Sequence, residues 1–197
     1  MHVGNTWTYV YQLGEEEREE TYCIVETRVV GQDEYLVFKS SFAPFFPLRA
    51  REVVVRNTEN NDVVVRFRDQ DVLYYEFSNS TLDSMRVAHV DSVPGYQDGI
   101  DFVTYLYSID DTVTTPAGTF YDCCRFTASI AQVIDTTVEV WFAPDVGPVC
   151  FRRWSAGNIP SLLRSAVVDG RHYGPTGLSP ASWGAVKAQD QGRRGDR

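Results

Sequence analysis

Histidines are the side chains of this sequence that could most readily serve as general bases, so their neighbours decide whether catalysis is plausible. The 197 residues include three of them, His2, His89 and His172. Nucleophilic catalysis needs a serine or cysteine beside such a base, and no Gly-x-Ser-x-Gly turn lies near any of the three. We therefore interpret each histidine as a surface or edge residue, and we predict no catalytic residue and no enzyme activity.

Paired carboxylates could support glycoside hydrolysis or bind a metal ion. Candidates are Asp98 with Asp101, Asp110 with Asp111, and Glu139. With 27 Asp and Glu residues in the chain, such pairs arise by chance. The first pair also lacks the alternating acidic spacing of a dedicated calcium loop, and no glycine-rich phosphate loop is present. The sequence thus predicts no glycosidase site, no metal site and no cofactor.

Four cysteines, Cys23, Cys123, Cys124 and Cys150, leave several alternatives open. Their spacings of 100, 1 and 26 residues match no zinc pattern, which needs two close pairs. Adjacent Cys123 and Cys124 would point to opposite faces of a strand. At least one buried free thiol is the simplest interpretation, because free cysteine behaves as a small hydrophobe. One disulfide bond or redox chemistry remains an alternative, and the pairing cannot be read from spacing.

The charge of the chain excludes some partners. Its net charge is −9, and 16 of its 18 basic residues are arginine. An acidic surface repels phosphate backbones and anionic lipid, so nucleic acid is not an expected partner. No run of 18 apolar residues exists, so we predict no transmembrane span. The N-terminus enters strand-like sequence at once, and we expect that an export signal precedes this numbering.

The elements that position these residues are strands. Two-residue alternation recurs along the chain, and aromatic residues reach 13%, which favours pleated surfaces. One short helix is predicted over residues 80–89, with Ser80 or Thr81 as its cap, although Val87 to Val90 could equally be a strand. Loops are predicted at 43–48, 94–99 and 157–160. The predicted strands are 7–11, 21–30, 35–40, 52–57, 62–68, 72–77, 102–109, 119–130, 136–142, 149–154 and 162–169.

This pattern predicts an all-β, mainly antiparallel fold, a single curved sheet or half-barrel of about ten strands with at most one short helix. The domain is expected to span residues 1–173. From Gly174 the composition shifts to Gly, Pro, Ser, Ala and charge, which predicts a flexible tail over 174–197. Within that tail, residues 183–187 could form a short docking element.

A set of aromatic residues on separate strands could line a concave sheet. A curved sheet with an incompletely filled interior is a natural groove for an apolar ligand, whereas an ordinary closed core is the alternative. The predicted ligand-binding residues are Tyr9, Phe38, Tyr75, Tyr105, Tyr107, Phe126 and Phe142.

Three segments together resemble a known group of proteins. Val3–Tyr9 is similar to a "VGNxWTY" start, Thr115–Phe120 with Asp122 and Cys123 resembles "TPAGTFxxC", and Trp141–Val149 resembles "WYAPGVGLV". This set resembles uncharacterised exported bacterial proteins and lipoproteins of the DUF3108 kind. The resemblance spans residues 3–151 and carries no catalytic residue.

The resemblance implies a curved antiparallel sheet related in shape to the lipoprotein carriers LolA and LolB. It also implies an extracytoplasmic location, either periplasmic, associated with the outer membrane, or secreted. We therefore expect a non-enzymatic cell-envelope domain that binds a lipid or another apolar ligand, or that assembles with an envelope protein. A structural or protein-interaction module with a filled core is the alternative, and an enzyme of unknown type comes third.

Overall fold

The computed structural model describes residues 1–39, 52–67, 69–79, 81–82, 85–91, 99–131, 137–153 and 159–175. Within these ranges no helix occurs, and thirteen strands form one antiparallel sheet, which confirms the all-β prediction. The strands are β1 (Thr6–Leu13), β2 (Glu16–Val30), β3 (Asp33–Lys39), β4 (Glu52–Asn57), β5 (Val63–Phe67), β6 (Gln70–Tyr75), β7 (Met85–Val90), β8 (Ile100–Thr115), β9 (Gly118–Ile130), β10 (Val138–Ala143), β11 (Gly147–Arg153), β12 (Ile159–Val168) and β13 (Arg171–Tyr173).

The sheet curves until its two edge strands meet, which makes a nearly closed barrel. The strand order is β6-β5-β4-β3-β2-β1-β12-β11-β10-β9-β8-β7, and β13 pairs with β12. At the seam between β6 and β7, Gln70 Nε2 donates to the His89 carbonyl oxygen at 2.6 Å. Arg86 Nη2 also lies 2.7 Å from Glu76 Oε1. Side-chain bridges thus join the two edges, whereas backbone ladders join the strands elsewhere in this order.

Alternation of side chains along the strands creates the core. Trp7 and Tyr9 of β1 and Tyr22 and Ile24 of β2 are each at most 1% exposed. Successive side chains of a strand point to opposite faces, so one face of the curved sheet fills the barrel. Each large apolar side chain buried in this way contributes roughly 1.5–3 kcal/mol to stability.

The short helix predicted over residues 80–89 is wrong. β7 occupies the second half of that range and pairs antiparallel with β8, with Met85 opposite Tyr105 and Val87 opposite Val103. A local capping signal is weaker than a ladder of backbone hydrogen bonds with a long neighbouring strand.

Two further predictions concern Pro160 and the predicted loops and tail. Pro160, predicted in a turn, lies in β12 opposite Arg152. Proline is compatible with that place because it begins the strand, where its missing N–H removes little from the ladder. The predicted loops at 43–48 and 94–98 and the tail from 176 onward lie outside the described residues, as does the cap residue Ser80.

The hairpin of β8 and β9 bends away from the barrel wall. Its pairing is regular as far as Leu106, and three register shifts follow before Val113. On β9, Asp122 has a left-handed backbone with φ of 53°. Bulges of this kind bend and twist a hairpin. The tip returns to the wall, where the Ala117 N–H donates to the Leu163 carbonyl oxygen at 3.0 Å.

The distal part of this hairpin, residues 107–123, covers the outside of the wall, and we call it the flap. Trp141 of β10 donates its Nε1–H to Asp111 of the flap at 2.8 Å. Cys150 lies opposite Trp141 in the β10–β11 ladder, and Cys123 lies opposite Asp111 in the β8–β9 ladder. Exposure is 8% for Trp141, 6% for Cys150 and 0% for Cys123, so the wall is packed on its outer side here.

Candidate functional site

Three hairpin turns meet at one end of the barrel and form its mouth. They follow β4, β10 and β12, and each contains one residue with a left-handed backbone: Asn61 (φ 64°), Asp145 (φ 59°) and Asp169 (φ 51°). Asn and Asp tolerate this conformation better than most residues and are typical of tight turns. The chemistry of the turns therefore places two carboxylates and one amide around the mouth.

A cavity of about 440 Å³ opens between these turns. Ligand pockets commonly occupy roughly 300–1,000 Å³, so this volume suits a small apolar molecule or part of an acyl chain. Its apolar lining includes Trp7, Val63, Phe77, Phe142 and Val168. Its polar lining includes Asn57, Asn61, Asp145 and Asp169.

A smaller hollow of about 30 Å³ adjoins the mouth cavity on the side of the core. The two spaces share Val63, Phe142 and Pro148 in their linings, and Phe38 and Tyr75 line the smaller one. The side chains around the smaller hollow are all apolar or aromatic. The mouth cavity thus passes from a polar rim to an apolar floor.

An aromatic cluster holds this floor in place. Tyr75 and Phe77 pack edge to face against Phe126 and Phe142, with ring centroids 4.8–5.2 Å apart. The cluster joins side chains from β6 and the turn after it to side chains of β9 and β10. Edge-to-face pairs stabilise a fixed arrangement beyond simple burial, by about 0.5–1.5 kcal/mol each. The floor is therefore a preformed surface.

The aromatic residues predicted to bind a ligand separate into three groups. Phe38 and Tyr75 line the smaller hollow, and Phe142 lines both spaces. Tyr9 and Phe126 are buried behind the lining, where the Tyr9 hydroxyl donates to the Pro148 carbonyl oxygen at 2.6 Å. These five lie in or against the mouth cavity and the smaller hollow.

The last two predicted residues lie on the opposite face of the sheet. Tyr107 is 55% exposed, and the Tyr105 hydroxyl donates to Met85 Sδ at 3.1 Å on the outside of β7. Along β8 the inner face is taken by Phe102 and Leu106, which are buried. The alternation was recognised correctly, but the sequence does not show which of two apolar faces turns inward.

Several lining residues were not predicted from the sequence. Trp7, Val63, Phe77 and Val168 come from strands or turns that are distant in the chain. Their apolar character was visible, and the turns at Asn61, Pro144–Gly147 and Asp169 carry clear signals. Only the closure of the sheet brings these turns to one end, and that closure has no local sequence signal.

The carboxylate of Asp169 is held in a fixed position at the rim. Asn5, which is 3% exposed, donates from Nδ2 to Asp169 Oδ1 at 3.0 Å. The Asp169 N–H donates in return to Asn5 Oδ1 at 2.9 Å. His2 Nε2 lies 3.8 Å from the same carboxylate. The described lining residues include two carboxylates, Asp145 and Asp169, and no lysine or arginine side chain.

The described side chains that line the floor of the cavity carry no charge. Burial raises the pKa of Tyr9 and Tyr75 above the ordinary value of a phenol, and the same holds for Tyr74. These hydroxyls therefore stay protonated in the working range of pH. An apolar, neutral floor disfavours a charged group at depth.

The clearest acid–base pair in the described residues lies outside the cavity. His89 Nδ1 is 2.6 Å from Asp101 Oδ1, and His89 Nε2 is 3.3 Å from Asp91 Oδ1. The hydrogen bond with Asp101 raises the pKa of His89. The histidine is exposed at the end of β7 and is not among the residues that line the mouth cavity. We therefore retain the interpretation of His89 as an edge residue.

All four cysteines are free thiols in this structure. Burial raises the pKa of Cys123 to about 11 and that of Cys150 to about 12. A thiol is nucleophilic only as its thiolate, so burial makes both groups unreactive near neutral pH. Among the described residues, no group of three or more His, Cys, Asp or Glu could hold a metal ion, and no helix is long and apolar enough to cross a membrane.

Comparison with known proteins gives two similar solved structures. One is a protein from Bacteroides fragilis, provisionally named as exported and with a YmcC-like fold, which is 15% identical, covers 87% of this chain and 96% of its own, and has a TM-score of 0.44. The other is a provisionally named lipoprotein from Parabacteroides distasonis, 13% identical, covering 84% of this chain and 95% of its own, also with a TM-score of 0.44. No family model matches the chain, so membership of the DUF3108 group is not confirmed, and no curated protein matches it.

Proposed function

We propose that this protein is a non-enzymatic domain of the cell envelope that binds a lipid or another apolar ligand in the mouth cavity. The observation that carries the proposal is a space of about 440 Å³ that leads from a polar rim to an aromatic floor. An empty apolar space forfeits dispersion contacts on its lining, so its presence has an energetic cost that a bound apolar group would offset. The extracytoplasmic part of the proposal depends on the resemblance of the three sequence segments.

A neutral amphiphile tests this proposal. Calorimetric titration with monododecanoylglycerol below its aggregation concentration is expected to show one molecule bound per chain. Val63→Trp should fill the space that Val63 borders and weaken binding at least tenfold. Val87→Trp is the matched control, because Val87 is 54% exposed on the outside of β7. Equal binding by the wild type and Val63→Trp, with both proteins folded by near-ultraviolet circular dichroism, would refute binding in this cavity.

A second candidate function is a protein-interaction module, and an exposed apolar strip favours it. The strip runs over the outside of β7, β8 and the flap, and its members are 42–65% exposed: Met85, Val87, Tyr107, Ile109 and Tyr121. Soluble monomers rarely expose large contiguous apolar patches without a partner. Photocrosslinking from position 107 in envelope extracts should yield a defined partner, and Met85→Glu with Val87→Glu should abolish the crosslink. A crosslink that survives both changes would exclude the strip as the contact surface.

A further inference from the structure

We infer that the mouth cavity selects an amphiphile whose polar head is neutral or cationic and donates hydrogen bonds, and that it disfavours free carboxylates and phosphates. The inference rests on the proposed function, because it specifies which ligands the same cavity accepts. It follows from the charges and the hydrogen-bonding groups of the rim, whereas the proposed function follows from the volume and the floor.

The rim offers acceptors to a head group. The carboxylates of Asp145 and Asp169 only accept hydrogen bonds when ionised, and the amides of Asn57 and Asn61 each provide a carbonyl oxygen that accepts and an NH2 group that donates. The indole N–H of Trp7 is a donor on the lining, but it is already bonded to the Val146 carbonyl oxygen at 2.8 Å. A head group with hydroxyl or ammonium donors thus finds more partners than a head group that only accepts.

The acidic groups are fixed by the fold and do not depend on the ligand. Asp169 is held by two hydrogen bonds with buried Asn5. Asp145 lies in the tight turn between β10 and β11, in a left-handed conformation that few residues with a side chain accept. Both residues line the mouth cavity, so their carboxylates lie near a head group at the mouth whose chain extends towards the apolar floor.

The size of the effect follows from Coulomb's law. Two carboxylates about 6 Å from an anionic head, screened as in water, together disfavour it by roughly tenfold at low salt. The same geometry favours a cation by a comparable factor. Because the rim is exposed, salt at about 1 M should remove most of this difference.

Three probes with the same twelve-carbon chain test the inference: monododecanoylglycerol, dodecylammonium and dodecanoate. All three titrations use the same buffer and the same pH, so that only the head group differs between them. We expect dodecanoate to bind at least about tenfold more weakly than the neutral probe at 20 mM salt and dodecylammonium to bind at least as tightly. Equal or tighter binding of dodecanoate would overturn the inference while the proposed function stands. Failure of all three probes would overturn the proposed function itself.

The double variant Asp145→Asn with Asp169→Asn assigns the selectivity to the rim. Asparagine has the same shape and tolerates the left-handed conformation, so the turns should be preserved. We expect the penalty on dodecanoate relative to the neutral probe to fall to less than about threefold, while the neutral probe still binds through its chain. Asp122→Asn is the matched control, because Asp122 is exposed, has φ of 53° and lies on the flap. A penalty that persists in the double variant, or disappears in the control, would contradict the assignment.

Discussion

The two faces of β10 have different surroundings, although the side chains compared on them, Trp141 and Phe142, are adjacent in the chain. On the outer face Trp141 lies beneath the flap, bonded to Asp111, with the guanidinium groups of Arg125 and Arg152 each 5.7 Å from its ring. The next residue, Phe142, is on the inner face and borders the mouth cavity. At this position the wall is packed on its outer side and borders the mouth cavity on its inner side, whereas the rest of the interior is filled.

This contrast indicates that the outer face of β10 contributes mainly to stability, whereas its inner face contributes to the proposed binding site. The flap adds a second packed layer over β10 and β11, with Cys123, Trp141 and Cys150 nearly inaccessible. On the inner face, Phe142 borders the mouth cavity and is therefore less tightly packed. The aromatic side chains around Phe142 nevertheless have fixed positions. Packing on the outer side can offset the dispersion contacts that are lost around the mouth cavity.

The largest expected effect is the loss of stability when Trp141, on the outer face of β10, is removed. Trp141→Ala should lower the free energy of unfolding by about 3–5 kcal/mol, since it removes a buried indole and leaves a cavity beneath the flap. Phe142→Ala should cost less than this, because its ring is only half-buried and borders the cavity, although it also loses its edge-to-face contacts with Tyr75 and Phe77. Urea unfolding of both variants at pH 7 measures the difference. Equal losses would show that the two faces do not differ in packing.

A pH scan gives the next effect, from the thiols under the flap. Burial raises the pKa of Cys123 to about 11 and that of Cys150 to about 12, while unfolded thiols ionise near pH 8.5. The folded state therefore keeps protons that the unfolded state releases. The associated stability is fully present below about pH 8.5 and is lost as the pH rises towards 11–12.

The expected slope is about 1.4 kcal/mol per pH unit for each thiol, hence about 2–3 kcal/mol between pH 9 and pH 10. Unfolding by urea at the two pH values measures it. The double variant Cys123→Ala with Cys150→Ala should lose most of this slope, whereas Cys23→Ala should keep it. An unchanged slope in the double variant would mean that these thiols are not protected beneath the flap.

Much of the fold was predictable because alternation is a local signal. The alternation over residues 119–130 predicted a strand, and β9 occupies Gly118–Ile130 with Phe126, Ala128 and Ile130 buried. The flap itself could not be predicted, because nothing local indicates that a hairpin will fold back onto β12. The sequence therefore predicted that Cys123 and Cys124 face opposite ways, but it gave no sign that the flap would bury Cys123.

The candidate site was predictable only in part. Phe38, Tyr75 and Phe142 were identified from their aromatic character on separate strands, and all three line the space at the mouth. Tyr105 and Tyr107 carried the same signal, yet the sheet turns them outward. An aromatic residue on a strand predicts a packed or binding surface, and only the closure of the barrel decides which face becomes the interior.

A smaller effect is expected for the hydrogen bond between Trp141 and Asp111, which holds the flap against the wall. Asp111→Ala should lower the free energy of unfolding by about 1–3 kcal/mol, because it leaves the buried Trp141 N–H without its acceptor. It also removes one of the two carboxylate acceptors of the Ser108 hydroxyl, 2.6 Å away, and a carboxylate 3.5 Å from Arg125 Nε. Asp110→Ala removes the neighbouring carboxylate at an exposed position of the flap and should cost less than about 0.5 kcal/mol. Similar costs for both variants would exclude a specific role for Asp111.

The smallest effect is the rise in the free energy of unfolding that a ligand in the mouth cavity should cause. Monododecanoylglycerol at about three times its dissociation constant should raise the free energy of unfolding by only about 0.8 kcal/mol, the increment expected for one site. Phe142→Ala alters the lining and should change this increment, whereas Asp111→Ala acts on the outer face and should keep it despite its lower stability. Urea unfolding with and without the amphiphile measures the increment in each variant. If Asp111→Ala also lost it, the ligand would depend on the flap, and the two faces of the wall would be coupled.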